Sequence, residues 1–208
     1  MPGTARGMAL TPSDHGRPVP VARLERKYRR GGFRFLDSSS ELGHYAIVAG
    51  YVRWLFESPA ILDVGCGHGR LAALLHGGGI ARYRGIDVSR EAIRRARRRA
   101  RGRMTFEVAD FDAWEPPERY DVVVFCESLN YAAHPAYTLR RYARALAPDG
   151  ALVVSLYRHR GPGAVWRRTW RNAGRYFETV DATTVSNAHG QTWDVRVLRE
   201  AAFAREDR

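Results

Sequence analysis

The sequence predicts an open, doubly wound α/β fold, and two observations support this prediction. From residue 60 onward, short apolar runs of strand length alternate with segments in which apolar residues recur at helical spacing. The chain has 208 residues and no internal repeat, which favours one domain with a single core. Alternating units of this kind build a parallel sheet with helices on both faces, because the crossover between two parallel strands is right-handed.

Five strands of the predicted sheet lie between residues 60 and 157. They are residues 60–64, 82–88, 104–109, 120–126 and 151–157. The helices between them are marked by apolar residues at helical spacing, as at Leu71, Leu74 and Leu75. Ser89 is a suitable N-cap for the helix after the second strand, and Pro148-Asp149-Gly150 is expected to end the helix before the fifth.

The two ends of the chain depart from this alternating pattern. Residues 21–30 and 41–56 are predicted to be helical, and Ser38-Ser-Ser-Glu41 is expected to form a capping box for the second helix. Residues 175–186 and 191–199 alternate Thr, Val and Trp, a pattern that predicts an antiparallel hairpin. Residues 1–20 contain four prolines, three glycines and no apolar run, so they are expected to form a flexible arm before one domain, residues 21–208.

Composition sets the broad class of protein. Two cysteines and the absence of a membrane-length apolar stretch predict a cytoplasmic protein in a reducing compartment. The chain has 34 Lys and Arg against 22 Asp and Glu, a net charge of +12, and all but one of the basic residues are arginine. Residues 1–60, 61–150 and 151–208 each carry an excess of +4, so there is no basic tail. Eight arginines cluster in residues 89–103, which we interpret as a solvated helix face.

A glycine-rich segment after the first strand is the most informative motif. It reads Ile61-Leu-Asp-Val-Gly-Cys-Gly-His-Gly69. Glycines at this place let the backbone approach a ligand and direct helix N–H groups at it, so a nucleotide-like cofactor is expected. The dinucleotide form GxGxxG would need glycine where this chain has Arg70, and an acid, Asp63, stands two residues before Gly65. A nicotinamide dehydrogenase is therefore disfavoured.

This segment resembles motif I of the class I S-adenosylmethionine-dependent methyltransferases. The resemblance extends from about residue 40 to the C-terminal hairpin. It implies S-adenosylmethionine as the cofactor, a Rossmann-like sheet in strand order 3-2-1-4-5-7-6 with an antiparallel strand 7, and N-terminal helices (residues 21–57) that cover the cofactor. In this family an acid after the second strand holds the ribose hydroxyls, and an acid after the third faces the adenine amino group. Asp87 and Asp110 stand at those positions.

The cofactor site that the resemblance implies agrees with simple chemistry. Carboxylates at strand ends accept hydrogen bonds from hydroxyls and an exocyclic amine, and Asp63 gives a negative potential near the ammonium or sulfonium of the cofactor. A turn or cap role is the alternative for each acid. The cofactor-binding residues predicted in this way, with the cysteines as small packing residues, are Asp63, Gly65, Cys66, Gly67, Gly69, Asp87, Val88, Asp110, Phe111, Cys126 and Tyr28.

Candidates for acting on the methyl acceptor follow the fourth strand. The chain reads Phe125-Cys-Glu-Ser-Leu-Asn-Tyr-Ala-Ala-His-Pro135 there, at the sheet edge where open α/β folds bind ligands. Its Glu-x-Leu-x-Tyr pattern is similar to small-molecule methyltransferases, including the nodulation N-methyltransferases. Glu127 is the first candidate for a base or acceptor-orienting group, followed by His134 and Tyr131. Alternatively, Glu127 binds cofactor or loop amides, and His134 caps the next helix.

These features predict a methyltransferase acting on nitrogen, oxygen or carbon of a small aromatic or amine-bearing metabolite of specialised metabolism. No metal ion and no membrane are expected, and the enzyme would be a monomer or homodimer. The alternative is an RNA or DNA methyltransferase that uses the arginine-rich surface. The signature of adenine N-methyltransferases, Asn, Asp or Ser before Pro-Pro and an aromatic residue, is absent where Glu127-Ser-Leu-Asn130 stands. A non-catalytic cofactor-binding protein is disfavoured by the three acids.

Overall fold

The computed structural model describes residues 19–159 and 165–201. These residues contain seven strands and six α-helices. The strands are β1 (Ala60–Val64), β2 (Arg82–Asp87), β3 (Met104–Val108), β4 (Tyr120–Cys126), β5 (Leu146–Tyr157), β6 (Phe177–Ser186) and β7 (Thr192–Glu200). The helices are α1 (Val21–Arg29), α2 (Ser39–Leu55), α3 (Arg70–Leu75), α4 (Arg90–Arg99), α5 (Pro135–Ala143) and α6 (Val165–Ala173). All but the last two residues of the predicted arm, 1–20, lie outside the described residues. None of the described helices has the length and apolar character needed to cross a bilayer.

The strands form one mixed sheet in the order β3-β2-β1-β4-β5-β7-β6. β1 to β5 run parallel to one another, and β7 is antiparallel to both β5 and β6. The predicted fold class and strand order are confirmed. The strand order reverses between β1 and β4, and the carboxyl ends of β1, β2 and β4 meet at one edge, where doubly wound folds bind ligands.

Both faces of the sheet are buried, as expected for parallel strands covered by helices. On one face, Leu62 and Phe125 belong to a cluster with Tyr142 of α5 and Trp170 of α6. On the other face, Ile61 belongs to a cluster with side chains of α2, α3 and α4. Burial of a side chain of this size contributes roughly 1.5–3 kcal/mol, so the sheet is a firm support for the loops at its carboxyl edge.

The predicted capping box of α2 is not formed. Ser38 is the N-cap residue by its backbone, but its hydroxyl donates to the Phe35 carbonyl oxygen, 2.5 Å away. Glu41 bonds instead to His44, three residues further along the helix. The Ser38 N–H, which Glu41 would accept from in a capping box, donates instead to the Phe35 carbonyl oxygen at 2.9 Å, in the 3-10 turn Arg34–Asp37.

The predicted end of the helix before β5 is also different. α5 ends at Ala143, and Pro148-Asp149-Gly150 lies within the irregular start of β5. Tyr120 of β4 pairs with Leu146, and the register shifts before Val122. Leu146 therefore pairs with β4 as part of a strand, although its spacing from the apolar residues of α5 is helical.

Helix α1 packs against α4, and polar contacts stabilise this packing. The Ser89 hydroxyl donates to the Glu25 carboxylate at 2.6 Å, and Arg95 donates to the Tyr28 carbonyl oxygen at 2.8 Å. Arg99 bonds at 3.1 Å to Asp37, in the 3-10 turn after α1. Part of the arginine cluster in residues 89–103 thus holds the N-terminal segment, rather than only facing solvent.

We call residues 65–69, after β1, the glycine loop, and Gly85 of β2 tests the packing beneath it. A Cβ atom at this position would lie 2.7 Å from Phe106 Cδ1 and 2.8 Å from Cys66 Sγ. We expect Gly85→Ala to lower the free energy of unfolding by about 1–3 kcal/mol, because overpacking a filled core forces its neighbours to move. Urea denaturation followed by circular dichroism measures this change.

Gly50→Ala is the matched control. Gly50 lies in α2, and no atom lies within 4 Å of the Cβ that it would gain. Alanine at this helical position should raise the free energy of unfolding by about 0.5–1 kcal/mol. A Gly85→Ala variant as stable as the Gly50→Ala variant would contradict the packing described.

Candidate functional site

A cavity opens at the carboxyl edge of the sheet, between the N-terminal segment and the strand ends. It encloses about 1250 Å³, including its mouth, which is ample for a small-molecule ligand. Its walls come from α1, the 3-10 turn, α2, the loops after β1, β2, β3 and β4, and the ends of β5 and β7. The predicted site residues that line it are Tyr28, Asp63, Gly65, Cys66, Gly67, Asp87, Val88, Phe111, Cys126, Glu127 and Tyr131.

The glycine loop adopts a backbone conformation that other residues rarely take. Gly65, Gly67 and Gly69 have φ angles of 74°, 56° and 80°, in the left-handed region. The N–H groups of Gly65 and Cys66 both donate to the Ile86 carbonyl oxygen, at 2.8 and 2.9 Å. The loop therefore folds back onto the end of β2, and Gly65 and Gly67 present backbone to the cavity.

Asp63 of β1 is a buried carboxyl group at the wall of the cavity. Only 1% of its surface is exposed, and Oδ2 accepts a hydrogen bond from the Tyr83 hydroxyl. Its other oxygen, Oδ1, is buried and has no hydrogen-bond partner among the described residues. Burial raises the pKa of Asp63 to about 7; the bond from Tyr83 opposes this shift and the charge of Asp87 adds to it. A ligand that donates to Oδ1 would satisfy a group that is costly to leave unpaired.

Asp87, at the end of β2, joins two loops. Its Oδ2 accepts from the Gly67 N–H at 3.0 Å, and its Oδ1 accepts from the Ser89 N–H at 2.8 Å. Burial raises the pKa of Asp87 to about 6, although both amide bonds favour the charged form. Because a carboxylate offers about four acceptor positions, Asp87 can also accept hydrogen bonds from a ligand.

Glu127, directly after β4, has a left-handed backbone with φ of 60°, which no other described non-glycine residue shares. Strain of this kind costs on the order of 1–3 kcal/mol and clusters at functional sites. The Glu127 carboxylate accepts from the Ser155 hydroxyl at 3.0 Å and from the Tyr157 N–H at 3.1 Å. Burial raises the pKa of Glu127 to about 8 against the effect of these bonds, so Glu127 can take up a proton near neutral pH.

The other predicted residues at the cavity form its apolar walls. Burial raises the pKa of the Cys66 and Cys126 thiols, so both side chains are protonated and small. The Tyr28 ring packs against Phe33, with 4.3 Å between the ring centroids. Val88, Phe111 and Tyr131 line the same cavity.

Three of the predicted site residues do not line the cavity. Gly69 faces α4, where a Cβ would lie 3.2 Å from Ala96. Asp110 is exposed, and its side chain accepts from the Asp112 N–H at 3.0 Å, a turn contact. His134 is exposed and precedes α5 as its N-cap residue, without a side-chain capping bond.

The structure adds cavity residues that the sequence analysis did not select. Glu41, Arg70 and Asn130 line the cavity, and Asn130 Oδ1 is buried without a partner among the described residues. Glu41 lies three residues before His44 in α2, a spacing that brings two side chains together on one helix face and that could have indicated the pair. Within residues 19–159 and 165–201, no group of three or more His, Cys, Asp or Glu side chains is arranged to bind a metal ion.

Known proteins match the central part of the chain. Residues 61–150 match a protein family described as "Methyltransferase domain". The trans-aconitate 2-methyltransferase of Methylobacterium nodulans is 37% identical over 101 residues, which cover 46% of this chain and 37% of that protein. The ubiquinone biosynthesis O-methyltransferase of Neisseria meningitidis is 33% identical over 104 residues, which cover 46% of this chain and 42% of that protein. The alignments thus span less than half the length of these curated relatives.

Solved structures share the fold. The N-methyltransferase NodS from Bradyrhizobium japonicum, crystallised with S-adenosyl-L-homocysteine, superimposes with a TM-score of 0.71 at 20% identity, over 86% of this chain and 97% of NodS. The cyclase SpnF superimposes with a TM-score of 0.64 at 19% identity, over 75% of this chain and 80% of SpnF. The predicted resemblance to class I methyltransferases is confirmed, but a fold that also occurs in a cyclase does not by itself decide the reaction.

The raised pKa values of the cavity carboxyls give a pH dependence of stability. A carboxyl whose pKa is higher in the folded chain stabilises it at low pH, and this contribution is lost as the pH rises through the folded pKa. For Glu127 the loss falls between pH 4.5, its ordinary value, and about pH 8. We expect Glu127→Gln to flatten the pH dependence of the free energy of unfolding in this window, measured by urea denaturation of the ligand-free chain.

The comparison between variant and wild type supplies the control. The free energy of unfolding of the variant minus that of wild type should be larger at pH 9 than at pH 4.5, because the variant has no carboxyl group to ionise. An identical difference between the two proteins at both pH values would show that Glu127 ionises normally.

Proposed function

We propose that this chain, in which residues 61–150 match a methyltransferase domain, is an S-adenosylmethionine-dependent methyltransferase that acts on a small molecule. The observation that carries the proposal is the meeting of Asp63, Asp87 and the glycine loop in one cavity at the carboxyl edge of the sheet. Doubly wound folds bind their ligands at this edge, beside the reversal of strand order. The acids, the loop and the matching region all support the same ligand.

The residues of the cavity fit the polar groups of this cofactor. Asp87 retains acceptor positions for ribose hydroxyls, and the unpartnered Oδ1 of Asp63 suits the ammonium group. Arg70 lines the cavity with a buried Nε that has no partner among the described residues, and its guanidinium suits the carboxylate. At Gly67 a Cβ would lie 2.8 Å from the Tyr28 hydroxyl, so glycine keeps this narrow part of the cavity open.

The adenine ring is assigned to the apolar surface of Val88 and Phe111, which line the cavity; Val88 directly follows Asp87 in the chain. Asp110 is left out of this assignment because its carboxylate caps a turn and does not line the cavity. For the same reason His134 is left out of the catalytic assignment.

Methyl transfer requires the enzyme to align the acceptor and to remove its proton. When bound, S-adenosylmethionine supplies a methyl group made electrophilic by the adjoining sulfonium. Glu127 lines the cavity, and its pKa of about 8 suits a group that takes up a proton near neutral pH. Tyr131 lines the same cavity and is assigned to orienting the acceptor.

A small acceptor is favoured over nucleic acid by the contacts of the arginine-rich helix. Arg95, Arg97 and Arg99 of α4 donate to groups of the chain itself: a carbonyl oxygen of α1, the carbonyl oxygen of Phe106, and Asp37. Arginines held in this way are less available to bind phosphates, which supply most of the affinity of a nucleic-acid interface.

Asp87→Ala should weaken binding of S-adenosylmethionine by about 10- to 150-fold, because a charge-assisted hydrogen bond contributes about 1.5–3 kcal/mol. Isothermal titration calorimetry measures the dissociation constant. Asp149→Ala is the control, since Asp149 is an exposed acid in the first part of β5 and does not line the cavity. Equal affinity of the two variants would remove Asp87 from the ribose site.

Transfer of labelled methyl groups from S-adenosylmethionine separates the acceptor classes. The full chain should label a small-molecule extract and leave bulk RNA unlabelled. Glu127→Gln should keep cofactor affinity within about twofold and lower the transfer rate by about 100-fold, the size expected for loss of a general base. Strong labelling of RNA would contradict the small-molecule proposal, and weakened cofactor binding with an unchanged rate would make Glu127 a binding residue.

A further inference from the structure

One corner of the cavity has no part in the proposed cofactor site. It is formed by Glu41 of α2, Glu127 after β4, Tyr157 at the end of β5 and Trp193 of β7, all of which line the cavity. We call these four residues the acidic corner. It lies on the β4-β5-β7 side of the sheet, whereas Asp63 and Asp87 lie near the carboxyl ends of β1 and β2.

Hydrogen-bonding groups connect the two carboxylates of the acidic corner. The Ser155 hydroxyl donates to Glu127 at 3.0 Å and lies 3.4 Å from His44 Nδ1. His44 Nε2 lies 3.2 Å from a carboxylate oxygen of Glu41. The His44 ring is fully buried and stacks on Trp193, with 4.8 Å between centroids and 15° between planes. Three elements, α2, β5 and β7, therefore hold the two acids at this wall.

The charge of the acidic corner is not balanced by a cation at the cavity wall. Burial lowers the pKa of His44, so the imidazole between the two acids is neutral at pH 7. Of the described residues that line the cavity, Arg70 and His68 are the basic ones, and both pair with Asp37. The neighbouring charge of Glu41 helps to raise the pKa of Glu127.

Aromatic faces complete the acidic corner. The Tyr157 and Trp193 rings lie 5.5 Å apart at an angle of 52°. The Tyr157 N–H donates to Glu127 at 3.1 Å, so this ring and the carboxylate share one strand end. Aromatic faces attract ammonium groups because the ring face is electron-rich. Carboxylates beside aromatic rings form a site for an organic cation.

We propose that the acidic corner binds the methyl acceptor as an ammonium ion between Glu41 and Glu127, and that the methyl group is transferred to its nitrogen. This inference rests on the proposed function and names its substrate class, a primary or secondary amine.

The proton and electron balance of this transfer assigns a task to each acid. Glu127, as the carboxylate, takes one proton from the bound ammonium and leaves a neutral amine with a free electron pair. That pair forms the new N–C bond as the C–S bond breaks, and the electrons of the broken bond remain on sulfur as a thioether. The methylated nitrogen is again an ammonium ion, which Glu41 can pair, while Glu127 carries the proton that was removed.

Acceptors of other charge fit the acidic corner less well. A carboxylate acceptor would meet two acids of its own sign, and like charges in a site of low dielectric repel strongly. The arginine that could offset this repulsion, Arg70, begins α3 and pairs with Asp37. A neutral alcohol brings no positive charge to offset the cost of ionising Glu127 beside Glu41.

Binding to the complex of the full chain with S-adenosylhomocysteine tests this inference. The first probe set has an amine, an alcohol and a carboxylate of similar shape: phenethylamine, 2-phenylethanol and 3-phenylpropionate. Two further sets replace the phenyl ring with a cyclohexyl ring or a sugar. Binding of each probe is measured by ligand-observed NMR. We expect the amine of at least one set to bind about tenfold tighter than its alcohol, and the carboxylates to bind least. Glu41→Gln and Glu127→Gln should each remove most of the amine preference, while Glu57→Gln, which changes an exposed acid outside the cavity lining, should retain it.

Two results would overturn the inference: amines that bind no better than their alcohols in every set, or an amine preference that persists in both Glu41→Gln and Glu127→Gln. The dissociation constant of S-adenosylhomocysteine, measured first, separates this inference from the proposed function. A wild-type chain that does not bind S-adenosylhomocysteine contradicts the proposed function, whereas one that binds it without preferring amines contradicts only the amine assignment.

Discussion

The shape of the site depends on one steric constraint, the absence of side chains at Gly65 and Gly67. Both residues have left-handed backbones. A Cβ at Gly65 would lie 2.3 Å from the Cβ of Ser128, and a Cβ at Gly67 would lie 2.8 Å from the Tyr28 hydroxyl. Ser128 belongs to the loop after β4 and Tyr28 to α1. The glycine loop is therefore where the sheet edge, the loop after β4 and α1 meet, and a side chain there would push all three apart.

This close packing brings carboxyl groups together in a space poor in positive charge. Asp63, Asp87 and Glu127 all have pKa values raised by burial, to about 7, about 6 and about 8. Each is costly to ionise in the ligand-free chain, and a cation that enters the cavity relieves that cost. A sulfonium cofactor with an ammonium group, and an amine acceptor, both meet this description. Electrostatics thus links the proposed function to the acceptor class.

Sequence patterns predicted the architecture well because they depend on local periodicity and on strand ends. Asp63, Asp87 and Glu127 each lie within one residue of the carboxyl end of a strand, and parallel strands bring such residues to one edge. The same rule failed to place Asp110 in the cavity wall, because a tight turn after β3 uses its carboxylate as a cap. The contacts of His44 with Ser155 could not be predicted, since they join residues 111 positions apart. Nor does charge composition show that arginines of α4 bind the N-terminal segment.

A crystal structure of the chain with S-adenosylhomocysteine tests the central claim most directly. We expect the ribose hydroxyls within hydrogen-bonding distance of Asp87, the amino group of the homocysteine part beside Asp63, and the sulfur directed toward Glu127. Binding of the nucleoside elsewhere, or in the cavity with its sulfur turned away from the residues after β4, would contradict the account.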